Sequence, residues 1–262
     1  MTGSADSLPL QSKIIYGPVR SRRLGSSLGI NLLPAGYKLC SFNCLYCQYG
    51  RTLKPTFSPT YQLQDMPKPE LVAAELELAL RRLLRDELSI DSITISGNGE
   101  PTLYPQLAVV IDSAKRLRDR YLPRARIAIL SNSSTVGMPH VRASLDGLDL
   151  KIMKLDAGTE ELFRRLNHPA SSISLGKVVA GLKQLRKVIL QSLFVQGRVT
   201  NSDADAVAAW VEKVAEIQPL SVQVYTLDRA PADKRIQRVG RSTLEWIAAQ
   251  VRSRAGAPAD VF

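Results

Sequence analysis

The sequence predicts an α/β fold: one parallel sheet wrapped by helical crossovers. Two observations carry this. Short apolar runs alternate with amphipathic helical stretches along the chain, which is the pattern of strand-crossover-strand units. At 262 residues and 45% apolar content, the chain can also bury one substantial core.

The first strand is expected at 28–33, and the next five at 92–96, 126–131, 148–155, 188–195 and 221–227. Between them, helical periodicity covers 69–88, 106–121, 139–145, 159–166 with 175–186, and 203–217, and a last helix is expected at 242–254. Pro69 suits a first helical turn, and Asn201 or Ser202 can cap the helix that follows them. Residues 50–69, with Pro55, Pro59 and Pro67, read as an irregular segment over the loop that precedes them. The whole is read as one domain over 1–262, with an N-terminal extension at 1–27, a six-stranded core at 28–227 and a C-terminal segment with its helix at 228–262. There is no internal repeat. Six strands do not close an eight-stranded barrel. Functional residues are expected at the C-terminal ends of the strands, where loops of parallel β/α units gather.

All three cysteines fall within eight residues, as Cys40-Ser-Phe-Asn-Cys44-Leu-Tyr-Cys47, directly after the first strand. Such clustering marks a site. A closed structural zinc site takes four protein donors, and the two histidines, His140 and His168, lie about a hundred residues away. Three readings stay open on the residues alone. They are a disulfide, which the odd count and the absence of secretion signals disfavour, a zinc ion completed by water, and a 4Fe-4S cluster with one iron left open for a non-protein ligand. After the second strand comes Gly97-Asn-Gly-Glu-Pro101, and after the third Ser131-Asn-Ser133. Lys154 and Asp156 end the fourth, and alternation along a strand puts both on one face.

The cysteine spacing and Asn98-Gly99-Glu100-Pro101 together resemble the radical S-adenosylmethionine (SAM) enzymes. The resemblance implies a partial (β/α)6 TIM-like barrel. It also implies that Cys40, Cys44 and Cys47 hold one 4Fe-4S cluster whose open iron is chelated by SAM, with Tyr46 near the adenine. Gly99, Glu100 and Pro101 match the part of the family's Gly-Gly-Glu-Pro motif that receives the SAM amino group, with Asn98 standing for the first glycine. Asn132 and Ser133 sit where the SAM ribose is approached, and Arg198 is a candidate partner of the SAM carboxylate. Lys154 and Asp156 are candidates for catalysis or substrate contact. The implied activity is reductive cleavage of SAM to a 5'-deoxyadenosyl radical that abstracts hydrogen, driven by a small reductant protein such as flavodoxin or ferredoxin. The runs from Tyr16 to Pro34 and from Leu155 to Asn167 look most like the largely uncharacterised branch related to wyosine-forming tRNA enzymes. This chain has no further cysteines for the additional cluster those enzymes carry. Asp149-Leu-Lys151 is similar to an element of the activating enzymes of glycyl-radical proteins, which makes such a partner protein one alternative. A non-catalytic electron-transfer or sensor protein is the other.

With 35 Lys and Arg against 24 Asp and Glu, the net charge is +11, which points to an anionic partner: a metabolite, a nucleotide or RNA. The basic clusters are Arg20, Arg22 and Arg23, and Lys115, Arg116, Arg118, Arg120, Arg124 and Arg126. The first ten residues lack a signal-peptide pattern, and no apolar run reaches a membrane span. A cytoplasmic protein without membrane contact is therefore expected. Trp210 and Trp246, on amphipathic helices, are expected in the core, His168 at a helix end and His140 toward solvent.

Overall fold

The computed structural model of the protein describes residues 8–58 and 62–262. The first seven residues of the expected N-terminal region and part of the irregular segment, including Pro59, lie outside the described residues.

The six expected strands appear in chain order as β2 (Gly25–Ile30), β3 (Ser92–Ile95), β4 (Arg126–Ser131), β5 (Leu150–Lys154), β6 (Val188–Gly197) and β7 (Ser221–Thr226). Each is parallel to the next. Three strands extend this core. β1 (Ile15–Ser21) lies antiparallel to β2, β9 (Ala259–Val261) is parallel to β7, and β8 (Ile236–Arg238) is antiparallel to the end of β6. The sheet runs β1-β2-β3-β4-β5-β6-β7-β9. Its two ends are not paired with each other among the described residues, so it is an open, partial TIM-like barrel.

The helices α1 (Pro69–Arg85), α2 (Leu107–Tyr121), α3 (Pro139–Leu145), α4 (Glu160–Asn167), α5 (Leu175–Leu182), α6 (Ala204–Ile217) and α7 (Arg241–Gln250) occupy the crossovers and the C-terminal segment. Pro69 does open α1, whereas α6 is capped by the Asp203 carboxylate, which accepts from Ala206 N at 2.9 Å. Asn201 is buried instead, and donates to the carbonyls of Leu193 at 2.7 Å and Asp156 at 2.8 Å. It ties β6 to the end of β5.

Alternation along the strands separates two faces. Ile127, Ile129, Met153, Leu190, Val222 and Val224 pack outward into the large core under the helices. Ala128, Ile152 and Ile189 point the other way, into the barrel lumen, where Leu24 from the β1–β2 turn joins them. Trp210 is buried in the outer core, where its indole donates to the Leu155 carbonyl at 2.9 Å. Trp246 is not a core residue: it is 40% exposed, because it faces outward on the last helix.

Candidate functional site at the mouth of the barrel

The cysteine loop leaves β2 and is fastened on two sides by backbone pairing. On one side Leu39 N donates to Asn98 O at 2.9 Å and Glu100 N to Leu39 O at 3.0 Å. On the other, Asn43 N reaches the carbonyls of Asn167 and His168, and Leu45 N that of Leu166 at 3.0 Å. Gly99 makes the first contact feasible. Its φ is +143°, and a Cβ there would lie 1.7 Å from the Leu39 carbonyl oxygen. Asn98 replaces a glycine without obstructing anything. Its buried amide donates to Pro34 O and Gln11 O, both at 2.9 Å, and so ties the N-terminal stretch to the motif. Of the irregular segment, Thr56 N donates to Cys40 O at 3.0 Å.

Each sulfur has a side-chain nitrogen donor, and Cys40 also accepts from the Phe42 backbone. Asn132 Nδ2 lies 3.5 Å from Cys40 Sγ, Asn167 Nδ2 3.5 Å from Cys44 Sγ, and Lys38 Nζ 3.0 Å from Cys47 Sγ. Burial pushes the Cys40 thiol up to about 12 and the Cys44 thiol up to about 11. Among the described residues no three Cys, His, Asp or Glu side chains converge on a single metal ion. A four-iron cube takes its thiolates at three separate corners, so it fits this donor set.

Glu100 lies beside this loop with 1% exposure. Its Oε1 accepts from Thr102 Oγ1 at 2.6 Å, Ser131 Oγ at 2.8 Å and Thr102 N at 3.0 Å, and its Oε2 from Asn132 N at 2.5 Å. Burial raises its pKa despite those donors. Oε2, with a single partner, keeps a lone pair for a further donor. Pro101 opens the short turn Pro101–Leu103 that Glu100 caps. Ser133 is buried with φ +70° and donates to the Lys154 carbonyl at 2.8 Å, so its hydroxyl joins β4 to β5.

A second hub forms at the end of β5. Asp156, 3% exposed, accepts from Leu193 N at 2.9 Å and pairs with Lys154 Nζ at 3.0 Å through Oδ1. Its Oδ2 accepts from Asn167 Nδ2 at 2.9 Å and from the Tyr46 hydroxyl. Burial works against the Lys154 charge, but Asp156 and Tyr225 outweigh it and hold the pKa above the ordinary lysine value. The Lys154 ammonium also lies 4.8 Å from the Tyr46 ring centroid and donates to Tyr225 OH at 2.7 Å. Burial first, then the Asp156 charge, drives the Tyr46 pKa well above normal.

The structure thus brings Cys40, Cys44, Cys47, Tyr46, Gly99, Glu100, Asn132, Lys154 and Asp156 into one hydrogen-bonded mouth. Arg198 stands apart: it is exposed after β6, its N–H donates to Arg235 O at 3.0 Å, and its charge acts on Asp233. His168 ends α4 in the left-handed conformation, and His140 is exposed, as their positions in sequence suggest. A cleft of about 370 Å³ lined by Asn43, Pro55, Arg164, His168 and Pro169 includes none of the cysteines. Sequence reasoning missed Lys38 and Asn167. A lysine two positions before Cys40 was a readable signal, whereas Asn167 is 123 residues from Cys44 and carries none.

The Radical SAM superfamily profile matches residues 36–211. UPF0026 proteins of Methanocaldococcus jannaschii and Helicobacter pylori (strain J99) are 32% and 31% identical to the chain, covering 86% and 84% of it. A protein of Brachyspira hyodysenteriae named GTPase Obg is 31% identical over 90% of the chain. The chain spans 33% of the length of the Brachyspira protein and 66% and 68% of the other two. Among solved structures, a radical SAM methyltransferase from Sphaerobacter thermophilus superposes with a TM-score of 0.64 at 16% identity, covering 90% of this chain and 65% of that one. TYW1 with a lysine-pyruvate adduct bound gives 0.60 at 15% identity, covering 87% and 73%. These likenesses concern the fold. With the profile spanning the cysteine loop, Glu100 and Asp156, the chain belongs to the Radical SAM superfamily.

Proposed function

We propose that Cys40, Cys44 and Cys47 hold a 4Fe-4S cluster, that SAM binds beside it against Glu100, and that the substrate is an anionic molecule admitted to the barrel mouth. The observation that carries this reading is the joint network: the asparagines that donate toward Cys40 and Cys44 are also bonded to Glu100 and to Asp156. When bound, the reduced cluster supplies the electron that splits SAM into methionine and a 5'-deoxyadenosyl radical.

The chain's own residues do the positioning. Glu100 offers the free lone pair of Oε2 to an ammonium group, and burial makes that charge-assisted bond stronger than it would be in water. Gly99 brings the motif backbone against the cysteine loop, so donors and carboxylate share one rigid frame. Asp156 fixes Tyr46 by its hydroxyl and Lys154 by its ammonium, which sets the wall facing the lumen. The burial of Glu100 and Asp156 keeps water from the groups that would face a reactive intermediate. A flavodoxin or ferredoxin is the electron donor that fits, and an oxygen-sensitive cluster suits a reducing, cytoplasmic compartment. No helix of the described residues is long and apolar enough to cross a membrane.

The test is anaerobic reconstitution with iron and sulfide, reduction with dithionite in the presence of SAM, and an assay for 5'-deoxyadenosine. Product is expected from the wild type and none from Cys44→Ala. Glu100→Gln, which preserves shape and most acceptors, is expected to keep its iron content while product formation falls at least about tenfold, the loss of one charge-assisted bond. A cluster that loads fully but neither binds nor cleaves SAM would instead make this an electron-transfer or sensor protein.

A further inference from the structure

Arg22 and Arg23 are neighbours in the β1–β2 turn, yet they part company. Arg22 is exposed and pairs with Asp228 at 3.4 Å. Arg23 lies against Tyr225, its guanidinium carbon 4.5 Å from the ring centroid, and 6.0 Å from the ring centroid of Phe262. The next residue, Leu24, packs on the lumen residues Ala128, Ile152 and Ile189. Tyr225 and Gln223 alternate with the outward-facing Val222 and Val224, so they share the lumen face of β7.

Arg23 Nη1 is fully buried and has no hydrogen-bond partner. Burying such a donor unpaired costs free energy that the ring faces only partly return. Burial also pulls the Arg23 pKa below its ordinary value, with Tyr225 and Asp228 opposing. Among the described residues no carboxylate forms an ion pair with this charge, and Asp228 acts on it only from a distance. The Lys154 ammonium already has Asp156 at 3.0 Å, and Asp228 pairs with Arg22. Apart from the Lys154 ammonium, which donates to the Tyr225 hydroxyl at 2.7 Å, the polar groups described around Tyr225 are neutral: Gln191 Oε1 lies 3.5 Å from its hydroxyl, and Gln191 Nε2 donates to Gln223 Oε1 at 3.0 Å. That pairing leaves the Gln223 amide as a second donor on the same wall.

We propose that Arg23, with Gln223 and the edge of Tyr225, forms a carboxylate-binding subsite in the barrel lumen. It would hold the carboxylate of a small substrate below the mouth where Lys154 and Asp156 stand. This rests on the reading of the lumen as the substrate chamber, and it narrows an anionic substrate to a carboxylate-bearing small molecule.

The probe is sodium acetate, read by thermal unfolding of the full chain without SAM, against sodium chloride at equal ionic strength. Acetate is expected to raise the melting temperature of the wild type in a saturable way. Arg23→Met is expected to melt no lower than wild type in chloride, because a buried unpaired charge has been removed, and to respond to acetate with at least about tenfold weaker apparent affinity. Gln223→Leu, which leaves Arg23 in place, is the second variant and is expected to weaken the response as well. An acetate response that both variants retain would overturn the subsite, as would stabilisation by inorganic phosphate but not by acetate. If 5'-deoxyadenosine forms and acetate has no effect, this subsite fails while the enzymatic reading stands. Acetate protection without SAM cleavage would be the reverse.

Discussion

Lys38 gives Cys47 a cationic donor, where Cys40 and Cys44 receive neutral amides from Asn132 and Asn167. Burial disfavours its charge, but the neighbouring sulfurs of Cys47, Cys40 and Cys44 hold its pKa above the ordinary lysine value. A positive donor at a cluster sulfur stabilises the reduced, more negative state. Replacing Lys38 with Met is therefore expected to lower the midpoint potential of the reconstituted cluster by on the order of 60 mV, the one-electron equivalent of a charge-assisted bond. Lys38→Arg should recover most of the shift. A redox titration followed by electron paramagnetic resonance measures this, and equal potentials in wild type and the Met variant would remove Lys38 from the cluster's surroundings.

Two loops show how elements, more than single residues, hold the mouth together. In the stretch before β8, Asp233 N donates to Leu45 O at 2.8 Å, and its carboxylate accepts from Arg235 Nε at 2.8 Å and Nη2 at 2.6 Å. Those bonds to Arg235 hold the Asp233 carboxyl well below the usual carboxylate range. A depressed pKa contributes stability above the unfolded value, near 4, which fades as pH falls toward the folded value. Since Arg235 is more than half exposed, solvent screening keeps the contribution small. Urea unfolding should show Asp233→Asn less stable than wild type at pH 7 and the gap closing below pH 4; a gap independent of pH would show that packing, not charge, is what the variant loses. In the β1–β2 turn, Leu24 packs on Ala128, Ile152 and Ile189 with 5% exposure. Leu24→Ala is expected to cost about 2–4 kcal/mol in the same assay, and a loss below about 1 kcal/mol would mean that the turn is not part of the core.

For the molecule as a whole, the sheet has a clear middle and two weaker ends. β3 to β6 each have parallel neighbours on both sides, while β1 and β9 end the sheet and β8 pairs only with the tip of β6. Hydrogen exchange is expected to be slowest in β3 to β6 and to open first in β8 and β9; equal protection in β9 and β4 would contradict that order. The charge of the whole molecule is less available than its total suggests. Arg118 is committed to Asp119 and Asp149, Arg22 to Asp228, and Arg23 turns inward.

The sequence by itself determined the parallel α/β order, the six core strands in place, the cysteine loop and the glutamate motif, because these depend on periodicity and close spacing. Its reading of Trp246 as core failed because amphipathic periodicity says that a helix has an inner face without fixing how far around the helix the neighbours reach. Only the tertiary structure decided the rest. It brought Asn167 to the Cys44 sulfur, moved the α6 cap from Asn201 or Ser202 to Asp203 so that Asn201 could bind two strand carbonyls, and separated Arg23 from Arg22. The physical reason is the same in each case. A buried polar group must find its partner in space, and that partner's distance along the chain carries no information about it.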